Sequence, residues 1–168
     1  MEDLKEHFIF QQAELFFRAT NLIVDERTKD IGEFLEGRKE LDMSLEIPEM
    51  VNGVFSIELY LKCLHYIRNK EMKRLHNIID LYNSLPEEDQ AEIRSRYRST
   101  KSSDPNRKEF LNRNFDDLLS ALDRAFIEWR YIYEYSNHGR KTSDMYRLIL
   151  AVRDHLLAIK PDLKNANR

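Results

Sequence analysis

The chain has 168 residues, a formal net charge of −3 and one cysteine, Cys63. A single cysteine excludes an intramolecular disulfide and a cysteine-based metal cluster, and the mild acidity argues against non-specific nucleic-acid binding by the whole surface. The chain has only four glycines and four prolines, and no Gly/Ser/Pro-rich linker divides it. This composition favours helices over sandwiches and barrels and predicts one all-α domain spanning residues 1–168.

The first predicted helix covers residues 3–24. Its apolar residues recur at helical spacing, and we expect this face to pack along a central helix. The face comprises Leu4, Phe8, Leu15, Ala19, Leu22 and Ile23. Residues 25–49 follow, and acidic side chains outnumber basic ones there. We interpret this run as a solvated acidic connection with a short helical piece, ending at Pro48, which suits the first turn of the next helix.

The stretch 51–67 is apolar most of the way around a helix, which is typical of the central helix of a bundle. It is too short and too interrupted to span a bilayer. Its polar exceptions, Glu58, Lys62, His65 and Asn69, are spaced by four, three and four residues, so they form one stripe. Glu58 and Lys62 have the i, i+4 spacing of a helical ion pair. The stripe is either a structural network or the start of a functional cleft.

The next apolar pattern predicts a short helix around residues 75–85. Ser84 and Glu87 have the spacing of a capping box, which predicts a second helix that ends near Tyr97. A basic, flexible-looking loop at 98–108 comes next, and its Lys and Arg side chains suit either phosphate contacts or plain solubility.

The strongest helical periodicity covers residues 109–135 and ends in an aromatic cluster around Trp129 and Tyr133. The last predicted helix covers 143–160, and the polar tail 161–168 is expected to fray. Long helices joined by short connections predict an antiparallel bundle of four to five helices.

Several kinds of site are absent from the sequence. The five histidines include no His-x3-His pair, the four glycines form no Walker or Rossmann loop, and no GxSxG elbow is present. We therefore expect no metal and no cofactor. The start of the chain lacks an apolar signal region, so a cytoplasmic location without membrane contact is the expectation.

Three blocks, in this order, resemble the HEPN superfamily of small helical domains in bacterial and archaeal toxins, abortive-infection proteins and CRISPR-linked ribonucleases. They are FSIELYLKCLHYI from Phe55, LHNIIDLYNSLPEE from Leu75 and FIEWRYIYEY from Phe126. The resemblance covers residues 50–135 and implies a four- to five-helix bundle. It further implies a homodimer with a composite site, and partners such as RNA, a nucleotide, a cognate nucleotidyltransferase or an antitoxin protein.

Ribonuclease members of that superfamily use an arginine followed, after four to six residues, by a histidine, and they cleave RNA through its 2′-hydroxyl without a metal. Arg130 lies in the matching context, but His138 follows after seven intervening residues. The resemblance thus implies Arg130, His138 and Glu58 as candidate catalytic residues. The candidate substrate-binding residues are Lys62, Tyr131, Tyr133, Glu134 and Tyr135.

The displaced histidine favours a degenerate HEPN-like domain that acts as a binding or assembly module in a bacterial defence, toxin–antitoxin or RNA-linked system. An active metal-independent endoribonuclease (a toxin) that uses Arg130 and His138 is the first alternative. A purely structural helical partner protein is the second. An arginine held against Glu58 or Glu134 within one bundle would favour the structural role.

Overall fold

A computed structural model describes residues 2–40, 42, 44–99, 114–123 and 142–167, and every regular element among them is a helix. The all-α prediction is confirmed. No helix in these ranges combines the length and the apolar character needed to cross a bilayer. The elements are α1 (Glu2–Leu35), α2 (Glu46–Asn69), α3 (Ile78–Asn83), α4 (Glu87–Arg98), α5 (114–123), α6 (Thr142–Ile159) and a 3₁₀ helix (Pro161–Asn167).

Helix α1 continues well beyond the predicted residue 24, so the expected acidic connection at 25–49 is wrong at both ends. Glu, Lys and Arg are good helix formers, and their charges suit a solvated helix as well as a loop. The helix ends at Leu35, and the chain turns away at Gly37, which has a φ of +70°. There the Arg38 N–H donates to the Glu33 carbonyl at 2.9 Å, a Schellman-type ending. Pro48 lies in the first turn of α2, as predicted.

The face of α1 that packs in the core is not the predicted one. Leu4, Phe8, Leu15 and Leu22 are 57–71% exposed. The buried face carries the polar residue Thr20, whose hydroxyl donates to the Phe16 carbonyl at 3.0 Å. Both faces are apolar enough to form a core, and the periodicity alone does not choose between them. The buried residues are Glu6, Ile9, Phe10, Ala13, Phe17 and Thr20.

Helix α2 is central, as predicted, and packs against α1, α3 and α6. Near its start, Glu49 pairs with Arg27 in the second half of α1, with Nε and Oε2 2.7 Å apart. Just after its end, Lys70 pairs with Glu6 near the start of α1, with Nζ and Oε2 3.2 Å apart. Helices α1 and α2 are therefore antiparallel.

Helix α6 is also antiparallel to α1. Its Tyr146 hydroxyl donates to Asn21 Oδ1 at 2.8 Å, and Lys160, just after its end, pairs with Glu6. It follows that α2 and α6 are parallel to each other, so the predicted antiparallel arrangement does not hold for this pair. The two helices approach closely at Gly53, where a Cβ atom would require the end of the Met145 side chain to move.

Two predicted details of the chain ends and caps are corrected by the structure. The tail forms a 3₁₀ helix because Leu163 is fully buried, so it does not fray over 161–167. Ser84 does not cap α4; its hydroxyl donates to the Leu81 carbonyl at 3.1 Å. Helix α4 follows Pro86 without a side-chain cap.

The predicted helix 109–135 is confirmed at 114–123, and its remainder lies outside the described residues. So does the basic loop 98–108, apart from Arg98 and Ser99.

Candidate functional site

Two charged side chains, Glu58 and Lys62, are buried in the middle of α2. Their side chains are only 6% and 9% exposed, and Lys62 Nζ–H donates to Glu58 Oε1 at 2.7 Å. The predicted i, i+4 ion pair is therefore confirmed. Burying two charges is costly unless each is compensated, and here each charge is matched by the other.

The same carboxylate oxygen accepts a second hydrogen bond, from His76. The distance from His76 Nδ1 to Glu58 Oε1 is 2.9 Å, and Nδ1 lies 3.5 Å from Lys62 Nζ. In contrast to the other two, the His76 side chain is 79% exposed. We call Glu58, Lys62 and His76 the open cluster, because a buried ion pair ends in a side chain that faces solvent.

The fold holds His76 in place through the residue that follows it. Asn77 is the N-cap of α3, and its Oδ1 accepts from the Asp80 N–H at 2.8 Å. The Asn77 amide group in turn donates to Asp123 Oδ2 at 2.6 Å, which joins the start of α3 to α5. The histidine is thus fixed at a junction between the irregular 70–77 segment and two helices.

The two ring nitrogens of His76 have different roles in the open cluster. With Nδ1–H donating to Glu58, the other ring nitrogen, Nε2, is an acceptor in the neutral imidazole. A carboxylate behind an exposed imidazole is an arrangement that transfers protons or binds a polar ligand. Lys62 offsets the negative charge of Glu58, so the cluster as a whole does not repel an anion.

The 70–77 segment carries further positive charge within a few residues of His76 in the sequence. Lys70 is occupied by Glu6, whereas none of the described residues pairs with Lys73 or Arg74. Two unpaired cations beside an exposed histidine favour an anionic ligand. The sequence signal for this patch is the run from Arg68 to Arg74, which has four cations in seven residues. It is separate from the basic loop predicted at 98–108.

A second cluster, also on α2, resembles the first in composition. Arg68 makes two hydrogen bonds to Asp89, at 2.8 and 2.6 Å, and His155 Nε2–H donates to the same carboxylate at 2.8 Å. Burial raises the pKa of Asp89, but the hydrogen bonds from Arg68 and His155 outweigh it and hold the pKa below its usual value. Asp89 is fully buried and His155 is 6% exposed. We call these three residues the closed cluster; it ties α2, α4 and α6 together.

His65, the third member of the predicted stripe, is a core residue. Its Nε2–H donates to the Leu81 carbonyl at 2.9 Å, and the side chain is fully buried. Burial lowers the pKa of His65, which keeps the ring neutral. Cys63 is equally buried, and burial raises the pKa of its thiol to about 12, so it is no nucleophile at neutral pH.

Of the site residues predicted from sequence, the structure brings Glu58 and Lys62 together. The others, Arg130, Tyr131, Tyr133, Glu134, Tyr135 and His138, lie outside the described residues. His76 is not among the predicted residues, and its bond to Glu58 was missed because it is a tertiary contact across 18 residues. Within the described ranges, no group of three or more His, Cys, Asp or Glu side chains could hold a metal ion.

Comparisons of the chain with protein-family models, with curated proteins and with solved structures found no match. The fold and the site therefore define the protein by class: an all-α protein in which a buried ion pair on the central helix carries an exposed histidine.

Proposed function

We propose that the chain is a HEPN-like helical domain that binds RNA at the open cluster, as a binding or assembly module of a cytoplasmic bacterial defence, toxin–antitoxin or RNA-linked system. The observation that carries the proposal is the exposed His76 anchored on the buried Glu58–Lys62 pair, beside the unpaired Lys73 and Arg74. The HEPN-like sequence blocks support the same class of ligand.

The charges of the site suit a phosphate backbone. Lys73 and Arg74 supply two cations that no other described side chain neutralises, and the Glu58–Lys62 ion pair adds no net charge. Contacts between such cations and phosphates release counterions, so binding weakens as salt is raised. The imidazole Nε2 offers one directional hydrogen bond beside them, to a ribose hydroxyl or a base edge.

The test is binding of a fluorescein-labelled single-stranded RNA, followed by anisotropy over a series of salt concentrations. The double variant Lys73→Ala/Arg74→Ala is expected to bind more weakly. Its plot of log affinity against log salt should be shallower by about 1.4, because each lost phosphate contact removes about 0.7.

The matched control is Lys29→Ala/Arg38→Ala, which removes the same number of charges from exposed positions on and after α1. This control is expected to bind RNA like the wild type. Equal losses in the two double variants would show that only total charge matters and would overturn the assignment of the site. No RNA binding by the wild type would instead favour the purely structural role.

A metal-independent endoribonuclease is the second candidate, and the support for it is the Glu58–His76 hydrogen bond, which leaves Nε2 free to take a proton from a 2′-hydroxyl. Cleavage of a mixed RNA pool in the presence of a chelator tests it, with His76→Ala, Arg130→Ala and His138→Ala beside the wild type. Cleavage that only the first variant loses assigns the base to His76. Cleavage that Arg130→Ala and His138→Ala lose instead assigns the chemistry to that pair of residues. If the wild type does not cleave RNA, the ribonuclease candidate is excluded and RNA binding remains.

A further inference from the structure

A cavity opens between the end of α4 and the outer face of α6. Its volume is about 480 Å³, within the range of roughly 300–1,000 Å³ that is usual for small-molecule sites. Helix α6 supplies most of the lining, between Ser143 and Asp154, and α4 supplies Arg96. The cavity shares no residue with the open or the closed cluster, so neither cluster accounts for it.

The packing of α4 on α6 places two arginines at one level of the bundle. Near the start of α4, Asp89 bonds to His155. Just after the end of α4, the Ser99 carbonyl accepts from Arg147. The two helices are therefore antiparallel. Arg96, in the last turn of α4, lies beside Arg147, and both side chains line the cavity.

The guanidinium group of Arg147 is held in place but not neutralised. Its Nη1–H donates to the carbonyl oxygens of Tyr97 at 3.3 Å and Ser99 at 3.0 Å. These acceptors carry no net charge, and no carboxylate of the described residues pairs with Arg147. A cation that is already fixed in position loses little conformational entropy when a ligand binds to it.

Arg96 is paired only at the surface. Its Nε lies 2.8 Å from Glu92 Oε1 without a hydrogen bond of good geometry, and the two side chains are 34% and 44% exposed. Exposed i, i+4 pairs contribute little, so an anion in the cavity can compete with Glu92. Ser143, in the first turn of α6, adds a hydroxyl group at the positive end of the helix dipole. This end of the cavity therefore favours an anion.

The rest of the lining is apolar and then acidic. Leu150 and Ala151 come one turn further along α6, and Asp154 comes one turn beyond them. Arg147 and Asp154 are seven residues apart, which corresponds to about 10 Å along the helix. The cavity thus has a cationic end, an apolar middle and an acidic end that would repel a second negative group.

We propose that this cavity binds a small organic anion, with one phosphate or carboxylate group between Arg96 and Arg147 and an apolar body against Leu150 and Ala151. Guanidinium groups form paired hydrogen bonds with both kinds of anion. A phosphate monoester has a charge close to −2 and three acceptor oxygens, so it suits two arginines better than a carboxylate does. The proposal goes beyond RNA binding and does not depend on it.

A ¹H–¹⁵N NMR titration of the purified chain with phenyl phosphate up to about 20 mM tests the proposal, because this concentration exceeds a millimolar dissociation constant. Amide shifts are expected at the end of α4 and along 143–154. Phenyl phosphate should bind more tightly than inorganic phosphate, which lacks the apolar body, and than phenol, which lacks the charge. Benzoate is the carboxylate arm, and tighter binding of benzoate would assign the carboxylate as the anionic group.

Two results of this titration would overturn the proposal. One is the absence of shifts with both phenyl phosphate and benzoate, or shifts centred outside the cavity. The other is binding of inorganic phosphate as tight as that of phenyl phosphate, which would show that the apolar surface takes no part.

Charge variants test the cationic end. Arg96→Gln should weaken phenyl phosphate binding about tenfold, because a hydrogen bond to a charged group contributes on that order. The matched control is Arg98→Gln, which removes a charge from the same turn of α4 but not from the cavity lining, and it should bind like the wild type. The same loss in both variants would contradict a site at Arg96.

A second pair of variants tests the apolar middle. Leu150→Glu puts a negative charge into the cavity and should abolish phenyl phosphate binding with unchanged circular dichroism. Leu75→Glu alters a leucine outside the cavity that is equally exposed, at 36%, and should leave binding intact. Binding of wild-type strength in a folded Leu150→Glu variant would overturn the proposal.

Discussion

The open and the closed cluster are built from similar parts and differ most in the exposure of the histidine. Each has a buried carboxylate on or against α2, a cation and a histidine that shares the carboxylate. In the closed cluster His155 is 6% exposed, and all three side chains join helices. In the open cluster the side chain of His76 is 79% exposed. A histidine buried between helices makes such a network structural, whereas an exposed imidazole makes it available to a ligand.

The comparison also separates the energetic roles of the two carboxylates. Asp89 accepts bonds from Arg68 on α2 and His155 on α6 while it belongs to α4, so its loss would loosen three helices. Glu58 and Lys62 lie on one helix, and their pairing adds little to helix packing. Removing either carboxylate leaves a buried donor unpaired, but only the loss of Asp89 also removes bonds that join three helices.

The largest expected effect is on the closed cluster. Asp89→Ala should lower the free energy of unfolding by about 3–5 kcal/mol, because Arg68 and His155 lose their common buried acceptor. Urea unfolding followed by circular dichroism measures it. Glu88→Ala is the matched control: its side chain is 75% exposed and 3.9 Å from Arg68, so its cost should stay within about 0.5 kcal/mol. A similar loss of stability in both variants would mean that Asp89 does not hold the three helices together.

Variants of the open cluster should separate its effect on the stability of the fold from its effect on RNA binding. Glu58→Leu leaves the Lys62 ammonium buried without its anion and should cost about 2–3 kcal/mol in the free energy of unfolding. The double variant Glu58→Leu/Lys62→Met should regain most of that loss, because an apolar pair fills the same space. RNA affinity is expected to stay low in the double variant, since His76 has lost its anchor. Recovery of binding together with stability would argue that the ion pair serves the fold alone.

A smaller effect concerns pH and His65. Because burial lowers the pKa of His65, the unfolded chain binds a proton there more readily than the folded chain does. Above the unfolded pKa of about 6.5 the ring is neutral in both states and its titration does not lower the free energy of unfolding. As the pH drops from there toward the lower folded pKa, the free energy of unfolding falls. Urea titrations between pH 7.5 and pH 5 should show this decline, and His65→Gln should flatten it. An unchanged slope in the variant would assign the decline to other groups.

Much of the fold follows from sequence because most helices have one clear apolar face. The final helix was predicted at 143–160 and lies at Thr142–Ile159, and the apolar stretch from Val51 is the centre of α2. Helix α1 shows the limit of such reasoning. Its two apolar faces are equally periodic, and the face that packs includes Glu6, whose charge is paired with Lys70 and Lys160 from distant parts of the chain.

Part of the candidate site could also be predicted from the sequence. The Glu58–Lys62 pair follows from helical spacing, which is a local property. The position of His76 could not be predicted from helical spacing, because an irregular segment separates it from α2. The segment brings His76 back against Glu58, next to Asn77, the N-cap of α3. The signal that could have indicated this arrangement is a polar stripe on an apolar helix, followed in the chain by a histidine just before an N-cap residue.

The most direct test of the account compares His76→Ala with His155→Ala, two alanine substitutions of histidines bound to buried carboxylates. Thermal unfolding and RNA anisotropy are measured on both variants. We expect His76→Ala to keep the wild-type melting temperature and to lose most RNA affinity. His155→Ala should melt earlier, and below its transition it should bind RNA like the wild type. If His76→Ala binds RNA as well as the wild type does, the open cluster is not the binding site.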